Sequence, residues 1–295
     1  MKILKVIKYF FMSARFKFFN RMQFVLDISA SKPIVLSPTK YRSKPEDCEK
    51  VHIFASCDSE YFIKYANSFV SSFSKNSNRH PIHIHICNPT TPVLVLAEKL
   101  EHMYPDFSSS YDDTNLARLR NEDRAIYYCS VRFVRMFDFC KTMQKPCLCL
   151  DIDVFCNQKT DGLMERLDDS DVAFYARFHK IGNSTKLLAG TLFVANSAPG
   201  FSFLTDVKNK LFYMIEHGFF VDKLDQVVIY DCFQKLKKSD INFKFNDLRD
   251  FFDTEFTDEG VIWYPKGSTK RDSKFLEYLQ RIENQSLTSS RDTLK

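Results

Sequence analysis

The stretch Cys147-Leu148-Cys149-Leu150-Asp151-Ile152-Asp153-Val154-Phe155 decides how this chain is read. Four apolar residues follow Pro146, and so short an apolar run behind a breaker reads as a strand covered on both faces. Two carboxylates one residue apart come directly after it. If the chain bends at the strand end, both turn into one adjoining cleft, where unpaired they repel each other and burial of either charge is costly. A divalent cation removes both penalties, and hard oxygen donors suit Mg2+ or Mn2+. The bland alternative is two exposed acids in a turn. Apolar residues on both sides of the pair speak against it.

Working outward from this stretch, strands and helices alternate. VHIFASCD (51–58) is a short apolar strand ending in polar residues. Ser59 and Glu60 then open a helix to Phe73, with Phe62, Ala66, Phe69, Val70 and Phe73 at helical spacing. PIHIHICNP (81–89) alternates strictly and ends at Asn-Pro, a second strand. A helix over 93–103 follows, then a polar stretch, 106–122, expected to be a mobile loop. Residues 123–143 carry Ile126, Val131, Val134, Phe137 and Met143 in a helical pattern that Pro146 stops. Such alternation predicts an α/β fold, a Rossmann-like nucleotide-binding half with its central sheet flanked by helices. Ligands in these sheets bind beyond the carboxyl ends of the strands, here Asp58, Asn88 and Asp151/Asp153.

The second half is less regular. Strands are expected at 171–178 and 187–197, helices near 200–217 and 225–237, and late strands at 242–245 and 261–264. The last 15 residues are polar and read as frayed. The organisation expected is an arm and linker over 1–44, a catalytic domain over 45–271 divided near 155 into nucleotide and acceptor halves, and a C-terminal helix and tail over 272–295.

Composition narrows the function. Of 295 residues, 44% are hydrophobic and 27% charged, which excludes wholesale disorder, and 30 Phe imply a bulky core. No run approaches the ~18 apolar residues of a membrane span. Nine cysteines without a CxxC pair or a zinc spacing read as reduced thiols, so a cytoplasmic location is expected. His83 and His85 share a strand face but have no third ligand near in sequence. The Phe pairs (10–11, 18–19, 219–220, 251–252) read as packing. The net charge of +5 is uneven: residues 1–44 hold ten Lys or Arg against Asp27 alone, leaving the remainder mildly acidic. That argues against an extended nucleic-acid groove on the body. It suits an arm that makes peripheral contact with an anionic membrane, or one that packs on the body as an accessory helix. A signal peptide fits badly, because no uninterrupted apolar core precedes a small-residue cleavage site.

Six stretches, in order, resemble the glycogenin-like and galactosyltransferase-like nucleotide-sugar transferases (family 8-like) of glycosyltransferase A fold, over roughly residues 51–271. ASCDSEYFIKYANSF (55–69) resembles their opening strand-turn-helix, YYCSVRF (127–133) the helix carrying an Arg toward the donor, and CLDID (149–153) the metal-binding DxD. LLAGTLFVAN (187–196) resembles the segment lining the sugar site, LDQVVI (224–229) the Asp-Gln segment near the reacting carbon, and WYPKGSTK (263–270) the loop over the diphosphate. The resemblance implies hexosyl transfer from a nucleotide-diphosphate sugar, UDP-linked by expectation, to a glycan, lipid-linked or other acceptor, with Mn2+ or Mg2+ on Asp151 and Asp153. It places Ala55, Asp58 and Tyr61 by the base and ribose, and Arg132, Lys266, Gly267 and Lys270 by the phosphates. Ala189 and Gly190 fall by the sugar, and Asp225 and Gln226 by the anomeric carbon. The bland readings stay open beside these. Asp58 also fits a helix cap, Gly190 a β-bulge, Arg132 an ion pair, Lys266 and Lys270 solvent, and Asp225 an ordinary first-turn acid. The chain departs from the family pattern at one point: Trp263 and Tyr264 stand where a His is often the third metal ligand. Two rival readings are a degenerate scaffold that binds without turnover and a haloacid-dehalogenase-type phosphotransferase.

Overall fold

Apolar runs build an eight-stranded mixed sheet in a computed structural model that describes residues 34–239 and 242–292. The strands in chain order are β1 (Lys40–Tyr41), β2 (His52–Asp58), β3 (Ile82–Cys87), β4 (Phe107–Asp112), β5 (Cys147–Leu150), β6 (Phe155–Cys156), β7 (Val172–Ala176), β8 (Leu187–Val194), β9 (Phe245–Asp247), β10 (Phe252–Asp253) and β11 (Ile262–Trp263). Their order across the large sheet is β1-β4-β3-β2-β5-β8-β7-β9. The run β4-β3-β2-β5 is parallel, whereas β8 is antiparallel to both β5 and β7, and β1 is antiparallel to β4. A second sheet, β10-β11-β6, is small.

Among the described residues there are seven α-helices: α1 (Ser59–Asn76), α2 (Thr91–Met103), α3 (Asn121–Met143), α4 (Asp161–Asp168), α5 (Ala198–Glu216), α6 (Leu224–Ser239) and α7 (Ser273–Asp292). Asp58 starts α1 by accepting the Tyr61 N–H at 2.8 Å, and Phe62, Phe69 and Phe73 form its buried stripe. Helix α3 ends where Gln144 turns left-handed (φ 56°), two residues before Pro146. One core lies between the sheet and α1, α2 and α7, the other between the sheet and α3, α5 and α6. This is the α/β architecture the sequence predicts.

Three details differ from the sequence reading. Residues 106–122 do not form a mere loop: Phe107–Asp112 is a buried strand paired with β3. The linker contributes β1 and is fixed by Ser37 N–H on Thr114 (3.1 Å) and by Lys40 on Asp113 (2.8 Å). The C-terminal helix runs on to Asp292, through most of the tail expected to fray. The basic arm up to residue 33 lies outside the described residues, and with it the helix and membrane contact expected there. Among the described residues no helix is long and apolar enough to cross a membrane. All nine cysteines are thiols.

The topology itself makes a crevice. From β2 the chain winds outward through β3 and β4, then returns to lay β5 on the opposite side of β2. The carboxyl ends of β2 and β5 therefore flank a switch point, where doubly wound sheets bind ligands. Asp58 and Asp151 stand at those two ends.

Candidate functional site

A cleft of about 230 Å³ opens at this switch point, lined by Ser56, Cys57, Asp58 and Tyr61 from the β2–α1 turn, Tyr128 and Arg132 from α3, Asp151 to Asp153, and Lys270. The sequence places most of these side chains here; Ser56, Cys57 and Tyr128 lie inside the matched stretches 55–69 and 127–133, but nothing in the residue order singles them out.

Asp151 is the hub. One of its oxygens accepts from the Arg132 guanidinium, and the other accepts the Tyr264 hydroxyl at 2.6 Å. Arg132, only 6% exposed, also donates to Asp225 at 3.0 Å. Asp225 in turn accepts the Gln226 N–H at 2.8 Å. Three elements, α3, the end of β5 and the first turn of α6, are thus tied by one buried cation between two carboxylates. Asp225 and Gln226 do not line the cleft. The Gln226 amide, oriented so that its nitrogen donates, holds the Ser184 and Leu187 carbonyls at 2.8 and 2.9 Å and pins the loop before β8 onto α6.

Asp153 is buried and ion-paired with Lys270, whose ammonium also lies 5.3 Å from the Tyr61 ring centre. The two acids differ in proton affinity. Burial pushes Asp153 up, the Asp151 charge adds to this, and Lys270 offsets only part, so it stands at about 6. Burial acts on Asp151 too, but Arg132, Tyr264 and Lys270 outweigh it and hold the carboxyl below the usual range. Asp225 is raised by burial despite Arg132. Divergent carboxylates in one cleft are a mark of a functional site.

Gly190 makes the hub possible. Asp151 N–H donates to the Gly190 carbonyl at 2.9 Å, and a Cβ on Gly190 would fall 2.0 Å from both Asp151 Oδ2 and the Tyr264 oxygen. The β7–β8 ladder slips here, Phe174 facing Leu192 and Tyr175 facing Leu188, so the close approach and the bulge coincide. Ala189 and Ala55 are buried in their strands and do not line the cleft.

The loop after β11 splits its two lysines. Gly267 turns with φ +58°. Lys270 reaches Asp153, whereas Lys266 does not. Burial, with the positive charges of Arg177, Lys180 and Lys223, lowers Lys266 to about 8. Tyr264 is the partner the sequence did not assign. Its position was marked as the expected His, but nothing in the residue order tells that a phenol there meets Asp151.

One other group of ligand-type atoms lies together among the described residues: His85, Cys87 and Asp112, within 4.8 Å of one another. Asp112 already accepts from His85 (2.8 Å), Arg135 (3.0 Å) and the Thr114 N–H (2.9 Å), and burial keeps the Cys87 thiol protonated. With the guanidinium alongside, this is a hydrogen-bond network rather than a cation site.

No family model matches this chain, and no curated protein matches it. Solved structures do. The glycosyltransferase GlyE of Streptococcus pneumoniae TIGR4 matches with a TM-score of 0.51 at 15% identity, over 82% of this chain and 64% of that one. Its apo form matches with a TM-score of 0.53 at 14% identity over the same shares. The chain therefore spans just under two thirds of the length of these structures. At such identity the likeness speaks for the fold alone, and that fold is the mixed α/β glycosyltransferase A type.

Proposed function

We propose that this protein is a glycosyltransferase that takes a hexose from a nucleotide-diphosphate sugar, UDP-linked, and passes it to a glycan or lipid-linked acceptor. One observation carries the reading: Asp151, Asp153, Arg132 and Lys270 converge on one cleft at the switch point of a glycosyltransferase A-type sheet, with Gly190 packed against Asp151. Breaking the bond between an anomeric carbon and a diphosphate leaves growing negative charge on the leaving phosphate, and fixed cations lower the barrier.

The residues fit a divalent metal. Asp151 and Asp153 offer hard oxygen donors one residue apart, and Asp153 is buried with a proton affinity raised by its neighbour's charge, a penalty a cation relieves. When bound, Mn2+ or Mg2+ would supply charge neutralisation at the diphosphate. The remaining work belongs to this chain. Arg132 and Lys270, which pair with the two carboxylates, would turn to phosphate oxygens once the acids have another partner. Tyr61 and Asp58 frame the base and ribose end. Asp225 orients Arg132, and Gln226 fixes the loop that carries the sugar-side backbone at Gly190.

A second reading, binding without turnover, draws on Tyr264, which occupies an Asp151 oxygen where a ligand is expected. Donor hydrolysis and transfer, measured over UDP-, GDP- and CMP-sugars with and without Mn2+, separate the two. The transferase reading expects turnover with one donor and a loss of about a hundredfold or more in Asp153→Asn. Donors that bind without turning over, with Asp153→Asn binding them equally well, would sink it.

A further inference from the structure

A second cavity, of about 240 Å³, opens at the other end of α1. Asp58 and Tyr61 at the start of this helix line the cleft, whereas its last two turns wall the cavity, together with Asn157 after β6 and one face of α7. At a rise of about 1.5 Å per residue, the two sites lie roughly 15–20 Å apart along the helix. The main chain of Cys156 holds the walls together. Its N–H donates to Ser72 Oγ (3.2 Å), and its carbonyl accepts Asn76 Nδ2 (2.8 Å) and the Tyr278 hydroxyl (3.4 Å), which ties α1, β6 and α7 to one another. Asn157 is fixed as firmly. Its N–H donates to the Val261 carbonyl (2.8 Å), and its amide nitrogen to the Gly260 and Asp258 carbonyls (3.0 and 3.2 Å). With both amide nitrogens spent inside the protein, Asn76 and Asn157 have their amide oxygens left to offer, and these accept hydrogen bonds from hydroxyls.

Charge enters this cavity from two sides. Lys75 stands in the last turn of α1, and Arg281 of α7 lies with its guanidinium 4.8 Å from the centre of the Tyr278 ring. No carboxylate is among the described residues that line the cavity. A lysine in a last turn ordinarily serves the helix carbonyls. Here those carbonyls have other partners: Phe73 accepts the Ser77 N–H (2.8 Å), Asn76 the Thr160 N–H (3.2 Å) and Lys75 the Lys159 ammonium (3.4 Å). Two cations facing one small space without an acid suit a group of more than one negative charge, and a phosphate monoester carries about 1.5–2 at neutral pH. The volume sets the size of the rest. Small-molecule sites begin at roughly 300 Å³, so this one takes a single sugar ring with its phosphate and not a nucleotide. Tyr278, the ring on which a base would stack, is already covered by Arg281.

We propose that this cavity binds a small phosphorylated sugar, its phosphate between Lys75 and Arg281 and its hydroxyls on the amide oxygens of Asn76 and Asn157. The site shares no residue with the cleft, so it stands independently of the transferase reading.

The test titrates the full chain with glucose 6-phosphate, glucose and inorganic phosphate by calorimetry. Glucose 6-phosphate is expected to bind roughly tenfold or more tighter than either of the others. Its affinity should fall about tenfold or more in Lys75→Gln/Arg281→Gln, which keeps the side-chain stems and removes the charges, and return in Lys75→Arg/Arg281→Lys. Both side chains are exposed, so the two variants should melt with the unaltered chain. UDP with Mn2+ should leave the affinity for glucose 6-phosphate unchanged. Absence of glucose 6-phosphate binding overturns the proposal, as does glucose or inorganic phosphate binding equally tightly. So does a glutamine variant that keeps glucose 6-phosphate, or its displacement by UDP, since the ligand would then sit in the cleft.

Discussion

Gly190 carries more of the site than its size suggests. The backbone carbonyl it offers Asp151, and the space it leaves for Asp151 and Tyr264 to meet, both depend on a missing Cβ. Gly190→Ala must push the carboxylate and the phenol apart or bend β8. The expected cost is about 1–3 kcal/mol of stability, as for other overpacking changes, together with a loss of metal and donor binding. Thermal melting and UDP titration with Mn2+ measure the two. Removing the hydroxyl in Gly190→Ala/Tyr264→Phe relieves one of the two collisions, so the double variant should regain part of the stability. A double variant no more stable than Gly190→Ala alone would show that the strain lies in the backbone and not in this contact.

At the scale of elements, the pairing of β3 with β4 shows what the sequence made legible and what it hid. His83 and His85 alternate with isoleucines and mark a strand with one polar face, whereas FSSSYD looks like a loop because serine is a poor strand former in isolation. The two segments lie parallel with His83 opposite Ser108 and His85 opposite Ser110, and the serines serve the imidazoles. Ser110 Oγ lies 2.8 Å from His83 and 3.0 Å from His85. Each polar face makes sense only beside the other, a long-range fact that local pattern cannot carry. The strands β2, β5 and β8 were legible because their apolar runs need no partner to be recognised, and Asp151 and Asp153 because they break such a run. Tyr264 was hidden for the same reason as β4: its partner is 113 positions away. Ser110→Ala leaves a nitrogen of each buried histidine without its partner. It should cost about 2–4 kcal/mol, seen as a lower urea midpoint with an unchanged slope. A shift below about 0.5 kcal/mol would mean the network contributes nothing net.

Over the whole molecule the histidines set the response to acid. Burial holds His52 down at about 4, and it lowers His80, His83 and His85 as well. In the unfolded chain each returns to about 6.5, so below that pH the unfolded state binds more protons and stability rises with pH. The stabilisation is present above about 6.5 and is lost as pH falls through the folded values. Asp112, which burial would raise but His85 and Arg135 bring down to about 2, adds a further loss below the ordinary carboxylate range. Asp153, with a folded value near 6, works the other way, as do Asp106 and Asp225, which burial raises, but these are three groups against four. Urea midpoints should therefore fall steadily between pH 7 and pH 5. His52 is buried in β2 and sits edge-on to Phe139 at 5.6 Å, a setting that leucine can fill. His52→Leu should match the unaltered chain near pH 7 and lose up to about 3 kcal/mol less by pH 4, the amount its shift represents. Parallel pH profiles for the two proteins would take His52 out of the account and leave the acid response to the His83–His85 network.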